Sequence, residues 1–243
     1  MPEKKLTGRN AADLVLTLLV MFGTLSLAWL GLTGTKSVPA SSAPADVPVI
    51  PENAFAVVVD AGHGGFDGGA VGSETGVIEA ELNLDVAKRL ANELTARGFY
   101  VIMTRSGEGA LGETKREDMQ ARREIMRLPY VDLVVSVHMN KFGDTSISGP
   151  MVFYMRGSDK GKQLADSVMS ALCEGIKIPP RRSNPEELFV LREPEAPSVL
   201  VECGFLSNPA DEARLQTPEY RTLIARSIAE GLEEYVRSYV LSP

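Results

Sequence analysis

The chain contains two histidines, His63 and His138, and each follows an apolar run that reads as a buried strand. His63 closes Phe55-Ala-Val-Val-Val-Asp-Ala-Gly-His-Gly-Gly, and His138 closes Val131-Asp-Leu-Val-Val-Ser-Val-His-Met-Asn. Strand ends of an α/β sheet are where ligands and catalytic groups collect, and imidazole is the commonest protein ligand for a metal. Two copies in equivalent positions point to a shared task, holding one zinc ion. A catalytic zinc site has three protein ligands and one open position. The third ligand must be a cysteine or a carboxylate, because no histidine remains.

Glu79 is the candidate carboxylate. It sits sixteen residues after His63, where the loop from Gly64 to Ile78 meets a helical pattern. Six glycines in that loop (Gly64, Gly65, Gly68, Gly69, Gly72 and Gly76) permit tight turns that would bring Glu79 back beside His63. A helix-start acid stabilised by the macrodipole accounts equally well for its position. Zinc-dependent hydrolysis also needs a proton acceptor. Glu202 fits, because a carboxylate ending the apolar run Pro197-Ser-Val-Leu-Val-Glu requires a partner or a raised pKa. Strand alternation turns the next residue, Cys203, the other way, into packing. Arg192 is either a ligand for a substrate carboxylate or carbonyl or a surface ion-pair residue. Asp60 and Asp67 are read as groups orienting the His63 imidazole or as ordinary loop acids, with Asp60 favoured for the orienting role.

The elements that would position these residues alternate between strand and helix. Strands are expected at Phe55–Asp60, Tyr100–Thr104, Leu133–His138, Pro150–Tyr154, Leu188–Leu191 and Ser198–Cys203. Helices are expected at Glu81–Arg97, Lys115–Leu128, Lys160–Gly175 and from Thr217 onward, the last with Leu223, Ile228, Leu232 and Tyr235 facing inward. The fold class is α/β: one domain with a largely parallel mixed sheet of about six strands, flanked by helices on both faces.

That domain is expected over residues 52–243. Before it, Lys4, Lys5 and Arg9 precede nineteen uncharged residues, Leu14 to Leu32. The pattern predicts an N-terminal signal or membrane anchor over 1–32, with the domain outside the membrane. A flexible Gly/Ser/Pro/Ala-rich linker follows over 33–51. Of the 243 residues 44% are hydrophobic, enough for a core, and the formal net charge is −7, which excludes a global electrostatic case for nucleic-acid binding. The glycine-rich stretch after Ala61 lacks the Lys-Ser/Thr of a phosphate loop, so nucleotide binding is also excluded. Cys173 and Cys203 form no CxxC metal pair and read as small buried apolar residues, with one disulfide as the alternative.

Four motifs, in order, resemble the zinc-dependent N-acetylmuramoyl-L-alanine amidases of bacterial cell walls. They are Asp60–Gly65, Glu79 opening the first helix, Ser136–Asn140 and Val201–Asn208. The resemblance extends from about Ala54 to Tyr235, and Thr104-Arg105 and Leu191-Arg192 also match recurrent family positions. It implies Zn²⁺ on His63, Glu79 and His138, Glu202 as the catalytic carboxylate, and Asn140 and Arg192 as substrate-binding candidates. It also implies peptidoglycan as substrate, cleaved between N-acetylmuramic acid and L-alanine. A minimal amidase domain behind one anchor looks most like the spore-cortex, germination-specific branch, which helps make muramic-δ-lactam and works in the cell envelope, with a possible helper protein. A vegetative wall amidase, a non-catalytic peptidoglycan-binding module and a zinc peptidase are the alternatives.

Overall fold

A computed structural model describes residues 54–241, and the anchor and linker expected over 1–51 lie outside the described residues. Six strands form one sheet: β1 (Ala56–Ala61), β2 (Tyr100–Met103), β3 (Leu133–Asn140), β4 (Met151–Met155), β5 (Asn184–Glu186) and β6 (Ser198–Phe205). Their spatial order is β2-β1-β3-β6-β4-β5. The four strands β2, β1, β3 and β6 run parallel. β4 runs antiparallel to β6, and β5 lies parallel to β4 at the edge. This is the expected α/β sheet, largely parallel and mixed at one side.

The parallel strands are buried on both faces, so their sequences run almost continuously apolar. One face of the sheet presents Val57, Val59, Val135, Val137, Val199, Val201 and Cys203. Three helices cover it: α1 (Glu79–Ala96), α3 (Asp159–Gly175) and α6 (Pro218–Tyr235). Their stripes are Leu82, Val86, Leu90 and Leu94; Leu164, Val168 and Leu172; and Ile224, Ile228 and Leu232. Ile224 takes the inward place expected of Leu223, which is half-buried. Each fully buried aliphatic side chain contributes about 1.5–3 kcal/mol. The opposite face carries Val58, Val134 and Leu200 and is covered by α2 (Lys115–Met126) and the short α4 (Phe189–Arg192).

Caps fix where the helices begin. Thr114 and Glu117 form a reciprocal capping box on α2, and Ser158 and Thr217 cap α3 and α6. Asn208 caps α5 (Pro209–Leu215), a helix not expected from the sequence. A π-helical turn, Val236–Val240, ends the described chain. Among the described residues no helix is long and apolar enough to cross a membrane.

The segment Leu188–Leu191 is not a strand. Residues Phe189–Arg192 form α4, with Val190 and Leu191 buried beside Leu200. A four-residue apolar run carries no period that separates strand from helix. The edge strand is instead Asn184-Pro-Glu186, where proline is tolerated because one side of an edge strand needs no donor.

Candidate metal centre

β1, β3 and β6 end side by side, and the candidate site is built on those ends. His138 lies within β3 and is the register partner of Glu202 on β6. Asp60, Ser136, His138 and Glu202 project from the sheet face opposite the large core, by strand alternation with the buried valines. His63 follows β1 by two residues and has a left-handed backbone, φ 60°. Glu79 is the first residue of α1 and only 4% exposed. One ligand atom from each of His63, Glu79 and His138 lies within 4.8 Å of the others. Glu79 Oε1 stands 2.9 Å from His138 Nδ1 and 3.3 Å from His63 Nε2. The two imidazoles meet edge to face, with centroids 4.9 Å apart. Two nitrogens and a carboxylate converging on one point are the donor set of a divalent metal such as zinc.

The glycine loop folds back and brings Glu79, the first residue of α1, beside His63. Ala70 N–H donates to Glu79 Oε2 at 2.7 Å, and Glu79 N–H donates to the Ala70 carbonyl at 2.9 Å. Gly69, at φ 69°, makes the close approach possible: a Cβ there would sit 2.5 Å from Glu79 Oε2 and 2.8 Å from His63 Cδ2. Asn83, one turn along α1, and Met139 N–H donate to Glu79 Oε1 at 3.1 and 3.2 Å. Burial alone would raise the pKa of Glu79, but the hydrogen bonds and charges of His138 and His63 hold it well below the usual carboxylate range.

Gly62 matters through space rather than backbone angle. A Cβ on it would lie 2.2 Å from Cε1 and Nε2 of His138. Gly62→Ala therefore displaces that ring. The expected result is a folded protein whose zinc affinity, read by competition with a chelating dye, drops about 10–100-fold, the usual loss when a ligand is mispositioned. Unchanged affinity would show that the ring has room to move.

Asp67, not Asp60, stands against the His63 imidazole. Its Oδ2 lies 2.9 Å from Nδ1, at ion-pair distance although the ring N–H is not aligned for a hydrogen bond. Lys115, the first residue of α2, holds the same carboxylate oxygen from the other side. Asp60 is instead consumed by the scaffold. It accepts from Ser136 Oγ at 2.5 Å, Thr104 Oγ1 at 2.8 Å and Arg122 Nη1 at 2.6 Å. Its pKa is lowered, because Arg122 and the hydroxyls outweigh the opposing effect of burial.

Two buried arginines pin the backbone of the histidine turn. Arg122, 2% exposed, donates to the carbonyls of Ala61 at 2.8 Å and His63 at 2.6 Å, and also pairs with Asp118. Arg105 donates to the carbonyls of Ala61, Gly62 and Ala80, each at 2.9 Å. Nothing in the run Lys115-Arg-Glu-Asp-Met-Gln-Ala-Arg-Arg marked Arg122 as buried. The helical repeat placing Asp118, Arg122 and Met126 on one face was the available signal.

Glu202 is half-buried, and its Oε2 is enclosed without a hydrogen-bond partner. Burial pushes its pKa up to about 7, and the Glu79 charge adds to the rise against the opposing effect of His138 and His63. Cys203 faces the other way, is fully buried, and is free, as is Cys173. The raised pKa has a stability consequence with a definite sign. In the unfolded chain Glu202 ionises near 4.5, whereas in the fold it keeps its proton to about 7. The metal-free protein therefore loses a few kcal/mol as pH rises through that window. Glu202→Gln should raise the melting temperature of chelator-treated protein at pH 8 and change it little at pH 4.5. An equal change at both values would show that ionisation is not the cause.

A cleft of about 330 Å³ opens beside the imidazoles, lined by His63, His138, Lys115, Met119, Phe189 and Val190 among others. The 188–191 segment thus reaches the site through apolar residues of α4. Arg192, at the end of that helix, has a side chain 55% exposed and paired with Glu193, and it does not line the cleft. Asn140 ends β3 half-buried, its amide 3.9 Å from Met151 Sδ.

The family model described as N-acetylmuramoyl-L-alanine amidase matches residues 57–234. The germination-specific N-acetylmuramoyl-L-alanine amidase of Bacillus subtilis is 30% identical over 195 residues, 76% of this chain and 81% of that protein. The N-acetylmuramoyl-L-alanine amidase LytC of the same organism is 30% identical over 192 residues but is matched over only 36% of its length. Among solved structures, the CwlD amidase from Clostridioides difficile, in complex with the GerS lipoprotein, superposes with a TM-score of 0.72 at 30% identity. That match covers 75% of this chain and 98% of the other. On its fold, its motifs and these matches, the chain belongs to the N-acetylmuramoyl-L-alanine amidase family.

Proposed function

We propose that the protein is a zinc-dependent amidase that cleaves peptidoglycan between the lactyl group of N-acetylmuramic acid and L-alanine of the stem peptide, in the spore-cortex branch of the family. The observation that carries this reading is the convergence of His63, Glu79 and His138 beside an unpartnered Glu202. Those three residues would hold the ion, which supplies Lewis-acid polarisation of the scissile carbonyl and a water of lowered pKa. Glu202 takes the proton of the attacking water and returns it to the departing amine of L-alanine. In the metal-free protein burial raises its pKa to about 7, a value suited to both directions of transfer. Asn83, Arg105, Arg122 and the Asp67–Lys115 pair keep the donors in place, and the α4 side of the cleft excludes water.

The germination-specific relative of matching length and the lipoprotein complex of the clostridial relative support the spore assignment and a helper partner. The uncharged run from Leu14 to Leu32 supports an anchor that keeps the domain at the outer face of a membrane. A vegetative wall amidase is the second reading, since LytC, an amidase whose name carries no germination role, is equally similar.

Digestion of purified peptidoglycan by the full-length protein tests the chemistry. The expected products are stem peptides with a free L-alanine N-terminus. Chelation should abolish their release, and about one equivalent of zinc per chain should restore it. Release of fragments with any other new N-terminus would make the protein a peptidase, and no release by zinc-loaded protein would make it a binding module. Deletion in the source organism should leave spore cortex without muramic-δ-lactam, whereas unchanged lactam content would move it to the vegetative wall.

A further inference from the structure

A second cleft, of about 300 Å³, is lined by Met151 of β4 and Asn184 of β5. Its apolar floor includes Met151, Met169 and Phe205, and its polar rim carries Arg181, Arg182 and Asn184. None of the described residues lining it is acidic, in a chain of net charge −7. Its link to the candidate centre is Met151. Met151 is the antiparallel register partner of Glu202, so the two side chains share one sheet face about 5 Å apart. Asn140, on β3, touches Met151 from the other side.

The two arginines differ. Arg181 is built into the wall, donating to the Ser148 carbonyl at 2.8 Å and to that of Pro150 at 3.4 Å. The buried Asp211 is already engaged by Arg214 and by the N–H groups of Gly149 and Phe205. Arg182 is exposed and forms no hydrogen bond or ion pair among the described residues. Its guanidinium is thus a free bidentate donor at the rim of an apolar cleft, across β4 from Glu202.

We propose that this cleft is the subsite for the leaving side of the substrate: it takes a peptide carrying a carboxylate one residue beyond the scissile amide, and Arg182 binds that carboxylate. The proposal rests on the amidase reading above. Charge decides the assignment of sides. The peptide side of peptidoglycan is anionic and matches the arginine rim. In the slot beside the imidazoles the Lys115 ammonium is already paired with Asp67. Strands lie about 4.7–4.9 Å apart and one extended residue spans about 3.3–3.6 Å, so a carboxylate one residue past the cleaved bond lies toward β4, within reach of the long Arg182 side chain from the β5 side.

The test uses two muropeptides with the same glycan and stem, one with a free α-carboxyl on the glutamate after L-alanine and one with the carboxamide. Full-length wild type should favour the free acid about tenfold in kcat/KM, the size of one charge-assisted hydrogen bond. Arg182→Gln should erase that preference by raising KM for the acid, and Arg182→Lys should regain part of it. Arg226→Gln, on the distant face of α6, should keep it. Calorimetry with the released stem peptides separates the two readings. Wild type should bind the acid form about tenfold more tightly than the amide, even if it cleaves neither muropeptide. That last outcome would remove the amidase reading and leave the subsite standing. Equal affinity and equal rates for the two forms, or a preference that survives Arg182→Gln, would overturn the proposal.

Discussion

Glu202→Gln is expected to keep the fold and the zinc and to lose about 10²–10⁴-fold in kcat, the range contributed by a positioned general acid or base. Glutamine preserves the shape and the burial of a side chain whose Oε2 already lacks a partner, so the scaffold has little to lose. What disappears is the site for the proton. Glu202 faces the cluster as the register neighbour of His138, and burial raises its pKa to about 7 in the metal-free protein. Zinc stoichiometry by mass spectrometry and turnover on muropeptides should be measured on the same preparation. Near-normal turnover would assign the proton transfer elsewhere. Loss of zinc together with turnover would make Glu202 a ligand rather than a base.

Arg122→Met carries the largest expected loss of stability. Its guanidinium serves Asp60, Asp118 and the carbonyls of Ala61 and His63 at once, and all three charged side chains are no more than 4% exposed. Methionine fills much of the same volume but leaves two carboxylates buried without their cation. Breaking such a pair from one side costs about 3–5 kcal/mol, or roughly 6–20 °C in melting temperature for a domain of this size. Arg122→Lys should fall between, since one ammonium cannot reach all four acceptors. The same change should weaken zinc binding, because the His63 turn loses its anchor at the carbonyl. A loss below about 1 kcal/mol by chemical denaturation would show that the buried charges are compensated by other groups.

Much of the site was legible because the chemistry is written in rare residues at strand ends. Two histidines, each closing an apolar run, placed themselves at adjacent strand termini once those runs formed a parallel sheet. Six glycines between His63 and Glu79 announced a loop able to fold back, and Gly69 is where that freedom is used. Glu202 and Cys203 were assigned to opposite faces by strand periodicity alone, and the sheet placed them so. These features depend only on local period and residue type.

Other features depended on which distant segments meet. Asp60, adjacent in sequence to the histidine turn, points along the sheet face to Ser136, Thr104 and Arg122, while Asp67 comes round the loop to the imidazole. Sequence proximity favoured the first, and the glycine-rich turn reversed it. Leu188–Leu191 read as a strand because its residues are apolar. It became helix α4 because the edge of β4 was taken by Asn184–Glu186, while Val190 and Leu191 could still be buried beside Leu200. Arg192 followed that helix out to solvent, and the arginines that do line a cleft stand one segment earlier, at Arg181 and Arg182. The sequence alone determined five of the six strands, the residue types of the candidate centre and the faces that Glu202 and Cys203 occupy, since these follow from periods of 2 and 3.6 and from side-chain chemistry. Only the tertiary structure decided which polar neighbours hold those ligands, because a buried charge takes its partner from whatever part of the chain the packing brings within about 3 Å.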